Sequence, residues 1–166
     1  MEVPQTREWV IRRASEHDSS AISSLHTALN RPTRGDSVFS EYFVASTPKE
    51  SIVGCAAVRK SERIGYLYGL GVDKAWRRRG IGHALTQERL DWLKANGANT
   101  AYVLAMFWNI RFFKKHGFQL ADRTLVEKLK DVHNDFSEQW SSRSALLVFK
   151  FHSCDGKLIR HDGQND

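Results

Sequence analysis

Three consecutive arginines, Arg77, Arg78 and Arg79, run directly into Gly80-Ile81-Gly82-His83. The stretch ending at Val72 has the pattern of a strand, and the stretch after Arg79 has the pattern of a helix. A helix N-terminus presents backbone N–H groups without intrahelical partners and carries a partial positive charge. Glycines let the backbone come close to a bound anion, and arginines add formal charge. Together these features form a cradle for a pyrophosphate. On charge alone the arginines read first as a solvated basic turn or a nucleic-acid contact. The glycines and the strand-to-helix context favour the cradle.

Other residues with chemical potential lie just upstream. Tyr66 and Tyr68 share one side of a strand and are candidates for holding a water or a substrate. They read equally well as strand residues with buried rings and satisfied hydroxyls. Gly65, Gly69 and Gly71 sit in the same strand, where glycine weakens pairing, so a bulge or a ligand close to the backbone is expected. Glu41 and Glu62 are the nearest carboxylates by element order, but no spacing places them beside the tyrosines. Cys55 reads as a small core residue. His17, His26, His133, His152 and His161 show no metal-ligand spacing, and no Ser-His-Asp arrangement can be argued, so no metal is expected.

The elements that must position these residues follow from periodicity. Residues 8–14 read as a first strand, and Asp18 stands where it can cap a helix by accepting from free N–H groups. Ile22, Leu25, Ala28 and Leu29 carry that helix to about Asn30. Residues 31–37, with Pro32 and Gly35, form a loop of the kind that lines sites. Strands are expected over 41–46, 51–59 and 64–72, with turns at 47–50 and 61–63. A helix over 79–96 shows Ile81, Leu85 and Trp92 on one face and stops at Asn96-Gly97. Residues 100–105 form a buried strand and 109–115 a short helix ended by His116-Gly117, where His116 reads as a cap. A strand begins at 118–121, residues 126–132 form a helical turn or two, and 144–151 form the last strand. This order places the chain in the α/β (α+β) class, as a mixed sheet with helices on both faces.

Composition agrees. The 166 residues are 41% apolar and 27% charged, which excludes wholesale disorder and collagen-like repeats. One domain is expected over residues 1–152, with a polar, frayed tail over 153–166. The net charge of +6 favours a polyanionic ligand without choosing among nucleotide, phosphate cofactor and nucleic acid. No apolar targeting segment opens the chain, and the longest apolar run, 101–108, is far short of the ~20 residues a membrane helix needs. Cys55 and Cys154 lie far apart and do not suggest a disulfide scaffold, so a reduced, cytoplasmic protein is expected.

The stretch 72–83 resembles the acyl-CoA-binding motif of the GNAT superfamily, the Gcn5-related N-acetyltransferases. Arg77, Gly80 and Gly82 match its Arg/Gln, Gly and Gly/Ala positions, and Val72 stands five residues before the Arg, as in the family. Lys74 replaces the frequent Pro two residues after that valine. Val10-Ile11-Arg12-Arg13-Ala14 with Asp18, and Phe112-Phe113-Lys114-Lys115-His116-Gly117-Phe118, are similar to the family's opening and closing elements, so the likeness covers about residues 8–122. Ser144-Ala145 before the last strand is faintly similar to members that acetylate small amino acids.

The resemblance implies a GNAT-like, mostly antiparallel sheet and acetyl-CoA as co-substrate. Backbone amides of Arg78, Arg79, Gly80, Ile81, Gly82 and His83, with Arg77 at the motif's start, are then expected to hold the CoA pyrophosphate. Leu70 and Val72 would offer backbone groups to the pantetheine arm, and Asn109, Phe112 and Phe113 would line its other side. A backbone N–H near Leu70 or Val72 would polarise the thioester. The family's strand glutamate base falls at Tyr66, and its thiolate-protonating tyrosine falls at Phe113, which has no proton to give. Tyr66 and Tyr68 remain the catalytic candidates.

The leading expectation is an acyl-CoA-dependent N-acetyltransferase moving acetyl to the primary amine of a small molecule or amino acid by direct attack in a ternary complex. Peptide or protein acetylation, a non-catalytic CoA-binding module, and nucleic-acid binding are the alternatives. No membrane or nucleic-acid partner is expected under the leading reading, and relatives' habits suggest a homodimer.

Overall fold

The structure, a computed structural model, describes residues 8–30, 41–122, 124–125 and 143–152. The expected loop at 31–37, the helical turn at 126–132 and the tail at 153–166, with Cys154, His133 and His161, lie outside these residues.

In chain order the elements are β1 (Val10–Arg13), α1 (Ser19–Ala28), β2 (Tyr42–Ser46), β3 (Ile52–Ser61), β4 (Ile64–Val72), α2 (Ile81–Ala95), β5 (Thr100–Met106), α3 (Ile110–Lys115), β6 (Gln119–Leu120) and β7 (Ser144–Lys150). The strands form one sheet in the order β1-β2-β3-β4-β5-β7-β6. All neighbours are antiparallel except β4 and β5. The mixed, mostly antiparallel sheet expected from the sequence is therefore present. No helix among the described residues is long and apolar enough to cross a membrane.

Alternation along the strands builds a core on each face. Phe43, Ala45, Ala56, Val58 and Leu67 pack under α2, against Leu85 and Leu93. Tyr42, Val44, Cys55 and Ala57 pack on the other face, against Ile22 and Leu25 of α1. Cys55 is a fully buried thiol, as its sequence context suggested. Two glycines bring α2 close. A Cβ on Gly65 would lie 2.4 Å from Leu93, and one on Gly54 would lie 2.8 Å from Ile81.

Two expectations are corrected. Asp18 occupies the N-cap position of α1 but makes no side-chain cap bond. Its carboxylate instead accepts from Arg12 (2.7 and 2.8 Å) and from the Ser15 backbone (2.8 Å), so it ties the end of β1 to the start of α1. The formal charge of Arg12 outcompetes the helix N–H groups for these oxygens. On α2 the inner row is Ile81, Leu85, Arg89, Leu93, all fully or nearly fully buried, whereas Trp92 is half-buried beneath Arg13, 4.9 Å from its ring centre. The row follows the i, i+4 spacing, and Trp92 lies one position off it.

Candidate active site

The site begins where two parallel strands part. β4 and β5 pair from Ile64↔Thr100 to Leu67↔Val103 and no further. At the next residues β4 bulges. Tyr68 pairs with Ala57 and Gly71 with Cys55, so Gly69 and Leu70 together face the single residue Ala56. Gly69 has φ +62, the left-handed region that a glycine enters without strain. The glycine-rich strand thus contains the bulge it suggested, and the bulge turns the end of β4 away from β5.

Divergence opens a cleft of about 890 Å³. Its upper wall is the start of α2. Gly80 caps the helix at φ +80, and Arg78 before it takes φ +62. Ala84 N–H to Gly80 O is the first bond of the helix, so the N–H groups of Ile81, Gly82 and His83 precede it at the positive end. Arg77 Nε reaches back to the Val72 carbonyl (3.3 Å), which joins the turn to the end of β4.

Of the catalytic and cofactor-binding candidates, all but one border this cleft: Tyr66, Tyr68, Leu70, Val72, Arg77, Arg78, Gly80, Ile81, Gly82, His83, Asn109, Phe112 and Phe113. Arg79 does not border it. Its guanidinium pairs with Glu8 (2.6 Å) and lies over the Trp76 ring, because the turn directs this side chain outward. Asn109 holds the N-cap position of α3 without a side-chain cap bond. Phe112 and Phe113 meet edge to face at 5.0 Å, with Phe113 buried, so Phe113 serves both the core and the cleft wall. His116 is more than a helix-end residue: its Nε2 lies 2.9 Å from His83 Nδ1, and burial together with His83 holds its pKa below the usual value.

On the lower side Tyr66 and Tyr68 stack with centres 5.3 Å apart and planes 12° apart, as their shared direction required. The Tyr68 hydroxyl donates to the Glu41 carboxylate, just before β2. Arg59 of β3 holds the same carboxylate through Nε (3.0 Å) and Nη2 (3.3 Å). Burial, then the Glu41 carboxylate, pushes the Tyr68 phenol well above its ordinary pKa. Sequence spacing had not joined Glu41 to Tyr68, because that contact is made by the antiparallel register of β2, β3 and β4. Glu62 sits in the β3–β4 turn, away from the cleft.

Sequence reasoning also passed over Arg89. It borders the cleft at the point of divergence and is fully buried. The i+4 row of α2 was the available signal, but a charged residue in such a row reads first as part of a solvated face.

A profile of the acetyltransferase (GNAT) family matches residues 6–118. No curated protein sequence matches the chain. Among solved structures, Rv2747 of Mycobacterium tuberculosis, in complex with CoA and a second ligand, superposes with a TM-score of 0.72 at 20% identity, covering 86% of this chain and 99% of that one. N-acetylglutamate synthase from Neisseria gonorrhoeae, complexed with coenzyme A and N-acetyl-glutamate, gives 0.69 at 20% identity over 89% of this chain. The match spans only 36% of that synthase. Ard1 from Thermoplasma volcanium gives 0.68 at 19% identity over 87% of this chain and 99% of its own. The chain belongs to the acetyltransferase (GNAT) family of acyl-CoA-dependent acetyltransferases, whose acyl donor is acetyl-CoA.

Proposed function

We propose that this protein transfers acetyl from acetyl-CoA to the primary amine of a small molecule, with free amino acids as the leading acceptor class, in a ternary complex. The observation that carries this reading is the continuity of the cleft. One opening runs from the Gly80-capped start of α2 to the divergence of β4 and β5, beside Tyr66 and Tyr68. Gly82 adds support. A Cβ there would meet Phe112 and Val72 only at ordinary contact distances of 3.6–3.9 Å, so the chain's own packing does not demand glycine. Close approach of a bound phosphate favours a small residue there, in keeping with the motif's Gly/Ala position.

In this reading the backbone N–H groups of Arg78 and of residues 80–83, with the side chains of Arg77 and Arg78, hold the pyrophosphate. Leu70 and Val72 face the pantetheine arm, with Asn109, Phe112 and Phe113 opposite. The neutral amine attacks the thioester carbon, and the C–S bond breaks with its electron pair going to sulfur. Tyr68 is too weakly acidic to wait as phenolate at neutral pH. It works as a relay: its oxygen accepts the amine proton as its own proton passes to Glu41. The stacked Tyr66 ring holds Tyr68 in place. The setting is the cytoplasm, residues 1–152 are the functional domain, and a homodimer is the assembly proposed.

The test is CoA release from acetyl-CoA across free amino acids, alkyl amines and short peptides, beside thermal melting with the cofactor. Acetyl-CoA at 100 times its Kd is expected to add about 2.7 kcal/mol of stability. Turnover on peptides alone would move the acceptor to a chain terminus or side chain. Binding without turnover on any amine would make the protein a CoA-binding module. Absence of a melting shift with every acyl-CoA tried would overturn the proposal.

A further inference from the structure

The third member of the inner row of α2 is charged. Arg89 is fully buried, yet every group it binds is neutral. Its Nε donates to the Leu85 carbonyl (3.2 Å), Nη1 to the carbonyls of Ala57 (3.1 Å) and Tyr68 (3.3 Å), and Nη2 to the Thr86 hydroxyl (3.1 Å). No carboxylate among the described residues pairs with it. Burying a cation against neutral groups alone is costly, and a leucine would continue the row without that cost. Burial pushes the Arg89 pKa down to about 9, still above neutral, so the charge persists. Cys55 of β3 and His116 at the end of α3 are the titratable groups that sense it.

Position supplies a reason for the charge. Tyr68 is the first β4 residue beyond the last β4–β5 pair, and Arg89 holds its carbonyl there, at the edge of the cleft. Acetyl transfer in this cleft creates negative charge first on the thioester oxygen and then on the sulfur. Phe113 has no proton to give to that sulfur. We propose that Arg89 is the fixed positive charge that stabilises the departing thiolate, and that it positions the bulged end of β4 by holding the Tyr68 and Ala57 carbonyls. No proton moves to or from Arg89. The C–N bond forms, the C–S bond breaks, the electron pair stays on sulfur and the amine proton leaves through Tyr68. A carboxylate beside the guanidinium would cancel its field. Neutral partners leave the field of this buried guanidinium acting on the cleft it borders, and burial strengthens it.

This inference rests on the acetyl-CoA reading, and one experiment separates the two. CoA is added to saturation and the thiolate absorbance of the complex is followed from about pH 6 to pH 10, against free CoA, a thiol with a reference pKa near 8.5. The wild-type complex is expected to ionise at least ~1 unit lower than free CoA. Arg89→Met and Arg89→Gln, the second of which keeps a donor for the carbonyls, are expected to return the thiol to its free value. They are also expected to lower kcat at least ~10-fold while the KM for acetyl-CoA changes less than about threefold. Arg89→Lys, which keeps the charge, is expected to retain most of the thiol shift. Folded neutral variants with unchanged thiol ionisation and kcat would overturn the proposal. Should both neutral variants fail to fold, the wild-type titration decides: a bound thiol that ionises at or above the free value overturns it, and a lowered value that Arg89→Lys preserves supports it. Failure of the wild type to bind CoA would sink the acetyl-CoA reading instead.

Discussion

Tyr68 and Glu41 are joined across 27 positions of sequence, the tyrosine hydroxyl donating to a carboxylate that Arg59 clamps from a third strand. The contact links the floor of the cleft to the start of β2. In the proposed mechanism it gives the Tyr68 phenol a defined direction in which to pass a proton.

If that link carries the amine proton, removing either end should slow turnover. Tyr68→Phe is expected to lower kcat by about 100-fold, and Glu41→Gln by about 10-fold. The double variant should be no slower than Tyr68→Phe, because the two groups act in series. Steady-state kinetics of the three variants check this. A double variant slower than the tyrosine variant by the full product of both losses would show that the groups act separately.

Gly82 and Gly80 should separate by what each substitution disturbs. A Cβ at Gly82 meets Phe112 and Val72 only at 3.6–3.9 Å, so Gly82→Ala should leave the melting temperature close to wild type, and the bulkier Gly82→Val is expected to raise the KM for acetyl-CoA at least ~10-fold. Gly80 stands at φ +80, and Gly80→Ala should cost about 1 kcal/mol of stability through backbone strain alone. Melting curves and cofactor titrations on these variants read these effects independently.

Gly65 faces Leu93 with no space for a side chain. Gly65→Ala should therefore destabilise the fold by about 1–3 kcal/mol. Leu93→Ala alone should cost about 2–5 kcal/mol through the cavity it leaves. In the double variant the new methyl enters that space, so its loss should be smaller than the sum. Denaturant titration of the set tests the pairing.

Arg12 holds the Asp18 carboxyl well below the usual carboxylate range by direct hydrogen bonding. A folded-state pKa below the unfolded one means that stability is fully present above the unfolded value near 3.9 and is lost as pH falls through the folded value. Asp18→Asn should therefore lower stability by about 1 kcal/mol at pH 7, a modest figure because the Arg12 side chain is 39% exposed. The difference between variant and wild type should narrow below about pH 4. Melting as a function of pH checks both the size and the direction.

Much of the fold was legible from residue order. The glycine-containing strand over 64–72, the Asn96-Gly97 stop and the buried strand over 100–105 all reappear as β4, the end of α2 and β5. The turn from Val72 to Gly82 was legible for the same reason, since its residues meet within a few positions of one another. Less legible was Asp18, whose pattern is that of a helix cap but whose oxygens are taken by Arg12. Arg89 escaped because periodicity marks a row without saying whether the residue in it is dry.

The sequence by itself determined the helix start with its arginines and glycines, the bulge-forming glycines of β4, and hence the family, because backbone conformation and helix polarity are decided locally. Only the tertiary structure decided which side chains meet. Sheet register set Tyr68 against Glu41 and Arg59. The close packing of α2 on β3 and β4, at Gly54 and Gly65, sealed Arg89 away from water. Contacts between distant positions depend on how strands align and how near a helix can lie, and a linear pattern does not contain either distance.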